Sequence, residues 1–274
     1  MKTRILTAAV LLPLFLIVLL ALPPWTTAIV LALLSALAVY EFLETAGFCK
    51  GLLRIQIYSA VTAAGVCIWS AFGCTAIWGT LIAVLYFGAL FYELLLAHTR
   101  LMFPKLTAAA FSAFAIPYLL SSLTRILQMN NGRFYVLVPL IMAFASDTGA
   151  YFVGHALGRR KLAPLISPKK TLEGFIGGIF SAAVMMLLYA LILRIGFRYE
   201  VHLLSAALYG IVGSLCSVGG DLTFSAIKRQ SGIKDYGTLF PGHGGVLDRF
   251  DSVIAAAPVA ELLIAALPMI GEKL

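Results

Sequence analysis

The densest polar stretch of this chain spans residues 228–251, KRQSGIKDYGTLFPGHGGVLDRFD. It holds four basic residues, three aspartates and one histidine, in a chain whose residues are 61% hydrophobic. Aspartates beside lysines and arginines suit a magnesium-bound polyphosphate, because carboxylates hold part of the Mg²⁺ shell and the cations offset the remaining phosphate charge. Glycines in PGHGG allow backbone N–H groups to approach phosphate oxygens, although a Pro-Gly turn at a helix junction needs no ligand.

Further carboxylates are expected to join this stretch. A helix presents Asp221, Ser225 and Lys228 on one face, since they follow one another at spacings of four and three residues. Asp248 and Asp251, three residues apart, also share a face if their segment is helical. A buried salt bridge is the structural alternative for Asp221, but three carboxylates at one membrane edge exceed what ion pairing alone requires.

A fourth candidate carboxylate, Asp147, lies in the apolar run that contains SDTGAYFVGHALGRR. An ionisable residue is costly in mid-bilayer, so Asp147 is a candidate site residue, with hydrogen bonding to a neighbouring helix as the alternative. Tyr151 and His155 fall on its face of a helix, and we interpret His155 as structural. Another face carries small residues that favour close helix packing: Ala150, Gly154 and Gly158.

A second basic segment, SPKKTLEG at residues 167–174, contributes Lys169 and Lys170. These lysines are candidates for phosphate contacts, and they also suit a cytoplasmic loop of a membrane protein, where positive charge accumulates without any ligand. The sequence contains no GxxxxGK[ST], which excludes a P-loop.

The elements that position these residues are predicted to be membrane helices. Charged residues make up 12% of the chain, the mean hydropathy is +0.99, and the apolar residues form blocks close to the length that crosses a bilayer. The first block lacks a small-residue cleavage site and is expected to be a retained helix. The fold class is therefore all-α, a polytopic integral membrane protein with about nine spans, near 4–22, 25–43, 56–73, 76–97, 106–128, 134–157, 175–195, 203–225 and 252–270.

The orientation follows from the basic residues in the joints between these spans. With a cytoplasmic N-terminus, 15 of the 20 lysines and arginines lie on the cytoplasmic side. That distribution and anionic lipid account for the net charge of +8, so nucleic acid is not an expected partner. We predict one membrane domain over 1–274, with helices of 1–133 as scaffold and helices of 134–274 carrying the catalytic loops.

The motif residues resemble a known family. Fourteen positions match, without a departure, the hallmark of phosphatidate cytidylyltransferases, the integral-membrane CDP-diacylglycerol synthases: Ser225, Ile227, Lys228, Arg229, Lys234, Asp235, Gly237, Leu239, His243, Gly244, Gly245, Asp248, Arg249 and Asp251. SDTGAYFVG and SPKKTLEG resemble two further stretches, so the likeness covers residues 146–252. It implies that CTP and phosphatidic acid react at a cytoplasmic site to give CDP-diacylglycerol and pyrophosphate, with Mg²⁺ required.

The resemblance implies metal ligands at Asp221 and Asp248, and we add Asp251 and Asp147 as further ligands or supporting acceptors. Lys228, Asp221, Asp248 and Asp251 form the predicted catalytic set. His243 is interpreted as a phosphate or leaving-group contact, with a general base as the alternative. The remaining predicted substrate contacts are Arg229, Lys234, Arg249, Lys169, Lys170 and Ser225.

Other readings remain open at this point. A polyprenol or phytol kinase would share the CTP site and differ in the acceptor, and a secondary transporter can also carry midplane acids and glycine-broken helices. The CDP-alcohol phosphotransferases need a DGxxAR element, which this chain lacks. A second, monovalent cation and a homodimer are further candidates. The compact chain suits a bacterial inner membrane, with membrane lipids around it and the site facing the cytoplasm.

Overall fold

The computed structural model describes residues 2–73, 75–99, 101–239 and 244–273, with side chains from residue 9 onward. These residues form eleven helices and four short strands. The helices are α1 Lys2–Leu20, α2 Pro24–Glu44, α3 Leu53–Ala71, α4 Ala76–Leu96, α5 Phe103–Leu120, α6 Ser122–Leu127, α7 Gly132–Tyr135, α8 Leu137–Leu157, α9 Leu172–Phe197, α10 Leu203–Gln230 and α11 Leu247–Ala266. The strands are β1 Lys161–Ala163, β2 Ser167–Thr171, β3 Tyr199–Val201 and β4 Ile270–Lys273.

Apolar helices dominate the fold, and the predicted all-α polytopic membrane class is confirmed. Each of the nine predicted spans coincides with helical residues. In the described part of the chain, six helical segments are long and apolar enough to cross a membrane: Pro24–Glu44, Ala76–Leu96, Phe103–Leu127, Gly132–Leu157, Leu172–Phe197 and Leu203–Gln230. Helix α11 carries Asp248, Arg249, Asp251 and Glu261, which lowers its hydropathy. The count of nine spans therefore stays a prediction.

The chain divides into two compact units. The first unit comprises Met1–Gln128 and Lys228–Phe250, and the second comprises Met129–Ile227 and Asp251–Leu274. The predicted division of one membrane domain at residue 133 stays a prediction.

The first unit is built around α2, α3 and α5, which pack against one another. Leu31, Ala63 and Ile116, one from each of these helices, are completely buried in its core. Near the end of α2, the ring of Phe42 stacks on the ring of Tyr236, with 5.9 Å between centroids. The polar segment that precedes α11 is thus anchored on α2 by an aromatic contact.

The second unit depends on close packing of α8 against α9. A Cβ atom on Gly174 would lie 2.7 Å from the Ala150 carbonyl oxygen and 3.1 Å from the Gly154 Cα. Helix backbones approach this closely only where side chains are very small. The predicted packing role of Ala150 and Gly154 is confirmed, and Gly158 follows the end of α8, where its amide still donates to the Gly154 carbonyl.

A β-hairpin precedes α9 in a segment that was predicted only as a loop. Strands β1 and β2 pair antiparallel, with Lys161 opposite Thr171. Thr171 also caps α9, because its side-chain oxygen accepts a hydrogen bond from the Gly174 amide at 3.1 Å. The Glu173 carboxylate accepts from the amides of Arg159 and Arg160, at 2.9 Å and 3.2 Å for one of its oxygens. These contacts fix the base of the hairpin, where its two strands join α8 and α9.

Helix α10 also differs from the prediction, because it continues to Gln230 instead of ending near residue 225. Asp221, Ser225 and Lys228 consequently belong to one uninterrupted helix. The segment between α10 and α11 is therefore shorter than the gap between the predicted spans 203–225 and 252–270.

We expect Gly154→Leu to destabilise the protein, because a Cβ at this position would already lie 2.9 Å from Thr171 Oγ1 and 3.4 Å from the Gly174 Cα. Overpacking of this kind typically costs about 1–3 kcal/mol. Thermal unfolding in detergent, followed by loss of the monodisperse size-exclusion peak, measures the effect. Gly88→Leu on α4 is the matched control, since a Cβ there meets nothing within 4 Å. Equal unfolding temperatures for the two variants would contradict the packing assignment.

Candidate functional site

Polar residues collect in one cluster within each unit. The "lysine cavity" is the cavity of the second unit whose wall includes Lys161, Lys169 and Lys170. The "Lys228–Asp248 cluster" is the group of polar contacts that surrounds these two side chains in the first unit.

The lysine cavity has a volume of about 480 Å³ and opens beside α8, the hairpin and the first turn of α9. Asp147, Tyr151 and His155 line it together, as their predicted common helix face requires. The rings of Tyr151 and His155 lie parallel, with 6.1 Å between centroids. The other lining residues are Ala150, Gly154, Gly158, Leu162, Thr171, Gly174, Phe175 and Val218. Three ammonium groups and an imidazole around one cavity make it suited to an anionic ligand.

Lys170 forms an ion pair with Asp221, which joins β2 to α10. Ser225 Oγ donates a hydrogen bond to Asp221 Oδ1 at 3.1 Å, so the predicted i,i+4 relation on α10 is present as a contact. The Lys170 and Asp221 side chains are 25% and 21% exposed. The pair is therefore reached by solvent, and its attraction is partly screened. Asp221 thus takes part in a salt bridge that is not buried, and its carboxylate stays accessible.

Lys228 and Asp248 form a second ion pair, with 2.8 Å between Nζ and Oδ1. This pair is buried, since the two side chains are 10% and 2% exposed. The other carboxylate oxygen accepts from the amides of Tyr236 at 2.7 Å and Gly245 at 3.0 Å. Lys228 Nζ also lies 5.3 Å from the centroid of the Tyr236 ring, within the range of a cation–π contact. The buried aspartate is therefore compensated by a cation and by two backbone donors.

Glu41 lies next to the Lys228–Asp248 cluster, although it was not predicted as a site residue. Its carboxylate accepts from the amides of Val246 and Leu247, both at 3.1 Å, at the start of α11. An acidic residue inside an apolar span was the available signal, because such residues are rare and usually functional.

Asp251 lies in the second unit, buried on α11, where its Oδ1 accepts from the Ser252 amide at 2.7 Å. A Cβ on Gly220 would lie 2.7 Å from the Asp251 carbonyl oxygen, so the backbones of α10 and α11 meet beside Asp221 and Asp251.

The other predicted substrate contacts are less enclosed. Arg229, Lys234, Arg249 and Lys169 are exposed. The Arg229 guanidinium donates to the Ile233 carbonyl at 3.3 Å. His243 lies outside the described residues, and its predicted role stays a prediction.

A metal ion bound by the described residues would need further ligands, such as water or substrate phosphates. Within the described ranges, no group of three or more His, Cys, Asp and Glu side chains is placed to hold a metal ion. Mg²⁺ is commonly bound through only one or two carboxylates, with water and substrate phosphates completing its shell. The accessible Asp221 carboxylate with the Ser225 hydroxyl beside it fits such a partial set of hard oxygen ligands. The metal roles of Asp221, Asp248, Asp251 and Asp147 stay predictions.

Comparison with known proteins agrees with charge-rich clusters in a membrane protein. The model of the family described as "Cytidylyltransferase family" matches residues 2–267. The chain is 43% identical over 134 residues to a phosphatidate cytidylyltransferase of Bacillus subtilis (strain 168), which covers 49% of this chain and 48% of that protein. It is 44% identical over 128 residues to one from Haemophilus influenzae, covering 47% and 44% respectively.

A phosphatidate cytidylyltransferase of Staphylococcus aureus (strain COL) is 41% identical over 135 residues, covering 49% of this chain and 50% of that protein. The chain thus spans about half the length of the curated relatives it matches. The family match, in contrast, extends over nearly all of the chain. With its apolar helices and its paired lysines and aspartates, this chain therefore belongs to the cytidylyltransferase family.

Proposed function

We propose that this protein is a phosphatidate cytidylyltransferase, which converts CTP and phosphatidic acid to CDP-diacylglycerol and pyrophosphate. The observation that carries the proposal is the pairing of motif residues, Lys170 with Asp221 and Lys228 with Asp248, in a member of the cytidylyltransferase family. Relatives that share 41–44% identity over about half of the chain are phosphatidate cytidylyltransferases by name. Lysine–aspartate pairs of this kind suit phosphate-bearing substrates, here one soluble and one lipid.

The proposed reaction is an in-line displacement at phosphorus. A phosphate oxygen of phosphatidate forms a bond to the α-phosphorus of CTP, and the bond between that phosphorus and the bridging oxygen to the β-phosphate breaks. Pyrophosphate leaves with the electron pair. The attacking oxygen is already anionic at neutral pH, so little proton transfer is required. Catalysis therefore depends on orientation and on compensation of negative charge.

The residues of this chain supply both requirements. Lys169 and Lys170 of the hairpin bind phosphate oxygens at the lysine cavity, and Lys161 adds a third cation there. Lys228 is held in one orientation by Asp248, and the ammonium group is shielded from water. Fixed cations in a place of low exposure stabilise developing charge more strongly than mobile ones in water. Arg229, Lys234 and Arg249 remain proposed substrate contacts at the accessible surface.

We propose Mg²⁺ as the cofactor. Asp221 in the second unit and Asp248 in the first are each proposed as metal ligands, and Asp251 and Asp147 as further ligands or supporting acceptors. When bound, Mg²⁺ neutralises phosphate charge and polarises the phosphoryl oxygens. The exposed part of Asp221 and the neighbouring Ser225 hydroxyl support this assignment. The protein is proposed to lie in a bacterial inner membrane, with its site facing the cytoplasm, where CTP is available.

A double-label assay tests the function. Purified protein with phosphatidate, Mg²⁺ and CTP labelled at the α-phosphorus is expected to produce labelled lipid, whereas CTP labelled at the γ-phosphorus should label only released pyrophosphate. Chelation of Mg²⁺ by EDTA should abolish the product, and added Mg²⁺ should restore it. Lipid that carries the γ-label would indicate a CTP-dependent kinase and contradict the proposal. Solute transport without nucleotide turnover would also contradict it.

Asp248→Asn is expected to remove most of the activity, because the amide cannot neutralise Lys228 or serve as an anionic metal ligand. Removing one partner of a buried ion pair typically destabilises a protein by about 3–5 kcal/mol. The double variant Lys228→Met with Asp248→Asn removes the uncompensated charge, so it should recover thermal stability and remain inactive. Turnover per monodisperse molecule and the unfolding temperature are the two measurements. The exposed Glu200→Gln on β3 is the control. Wild-type turnover in Asp248→Asn would exclude the assigned role.

A further inference from the structure

Helix α2 makes several contacts with the segment that leads into α11. Glu41 accepts hydrogen bonds from two successive amides, those of Val246 and Leu247. The neighbouring Phe42 stacks on Tyr236. These two adjacent residues of α2 therefore contact the segment on both sides of residues 240–243.

The two carboxylate oxygens of Glu41 have separate partners. Oε1 accepts from the Val246 amide and Oε2 accepts from the Leu247 amide, each at 3.1 Å. Both amides lie at the start of α11, where helix N–H groups lack partners within the helix and a negative charge is favoured. Glu41 is buried, so no water replaces it as the acceptor for these groups without a change in packing.

The Glu41 carboxylate occupies space that is open because two residues of the same segment are glycines. A Cβ atom on Gly237 or on Gly245 would overlap the Glu41 carboxylate. The backbone on both sides of residues 240–243 thus packs directly on this side chain. Gly237 and Gly245 are both positions of the family motif, and their contact with Glu41 gives a physical reason for a missing side chain there.

The contacts of Glu41 lead directly to the Lys228–Asp248 cluster. Asp248 follows Leu247 in the chain, and its carboxylate accepts from the amides of Tyr236 and Gly245. Each of these donors adjoins a residue that contacts Glu41 or Phe42. The position of Asp248, and through it the orientation of Lys228, therefore depends on where α2 holds this backbone.

We propose that Glu41 is a positioning residue for the Lys228–Asp248 pair, acting through the amides of Val246 and Leu247. The proposal rests on the proposed cytidylyltransferase function for its kinetic consequence. Helix α2 was predicted as scaffold. The proposal gives it a further role, which is to align the motif segment for catalysis. Glu41 contacts the backbone of that segment and is not itself assigned to substrate.

Glu41→Gln in the full-length protein tests this role. Glutamine has nearly the same shape, but its NH₂ group would face one of the two amides and leave that buried donor without an acceptor. We expect kcat per monodisperse molecule to fall at least about tenfold, with KM for CTP changed by less than about threefold. Glu41→Asp, which retains two acceptor oxygens on a side chain shorter by one methylene, should recover part of kcat.

Glu44→Gln, one turn further along α2, is the matched control. Glu44 uses a single oxygen, Oε2, for both of its hydrogen bonds, from the Gly51 amide and from Gln56 Nε2. A glutamine can place its amide oxygen there, so kcat should stay within about twofold of wild type.

Hydrogen exchange without substrates separates this proposal from the proposed function. In Glu41→Gln, the amides of Tyr236, Gly245, Val246 and Leu247 should exchange faster than in wild type, and in Glu44→Gln they should not. Unchanged exchange in Glu41→Gln would overturn the positioning role whatever the activity. Unchanged kcat, or a loss confined to the yield of folded protein, would overturn its link to catalysis. A wild-type protein that forms no CDP-diacylglycerol would overturn the proposed function, and the exchange rates would still test the positioning.

Discussion

A buried carboxylate needs donors around it, and the organisation of the polar residues in this apolar protein depends on that requirement. Asp248 accepts from Lys228 and from two backbone amides, and Glu41 accepts from two further amides. The amide donors of Tyr236, Gly245 and Val246 lie outside regular secondary structure, whereas Lys228 belongs to α10 and Leu247 is the first residue of α11. The acids therefore do more than carry charge. They determine the path of the backbone between α10 and α11, which an apolar side chain could not do.

The two lysine–aspartate pairs differ in exposure, and this difference suits them to different tasks. Lys228 and Asp248 are nearly excluded from solvent, so separating them would leave an uncompensated charge in an apolar surrounding. Lys170 and Asp221 are each exposed by roughly a fifth or more, so water or a ligand can replace either partner at a lower cost. The first pair is therefore held more firmly, and the second exchanges partners at a lower cost when anions or cations arrive.

The sequence predicted those features that depend on local periodicity. Apolar block length located the helices, and spacing placed Asp147, Tyr151 and His155 on one face and Asp221 beside Ser225. The hairpin was missed because strands of three and five residues, the second reading SPKKT, carry no clear alternation of apolar and polar residues. Glu41 was missed because its partners are backbone amides about two hundred positions away, and backbone donors leave no trace in residue types. The donors to Asp248 were hidden for the same reason.

The hairpin also affects the thermodynamics of ligand capture. Lys169 and Lys170 lie on β2, which ends at Thr171, the residue that caps α9. The Glu173 carboxylate accepts from the amides of Arg159 and Arg160, which directly precede β1. Fixing the backbone of one flexible residue costs about 1–2 kcal/mol of conformational entropy. In a disordered lysine-rich loop that cost falls on binding and weakens it. Here it is already met during folding, so the lysines can meet an anion with only their side chains left to order.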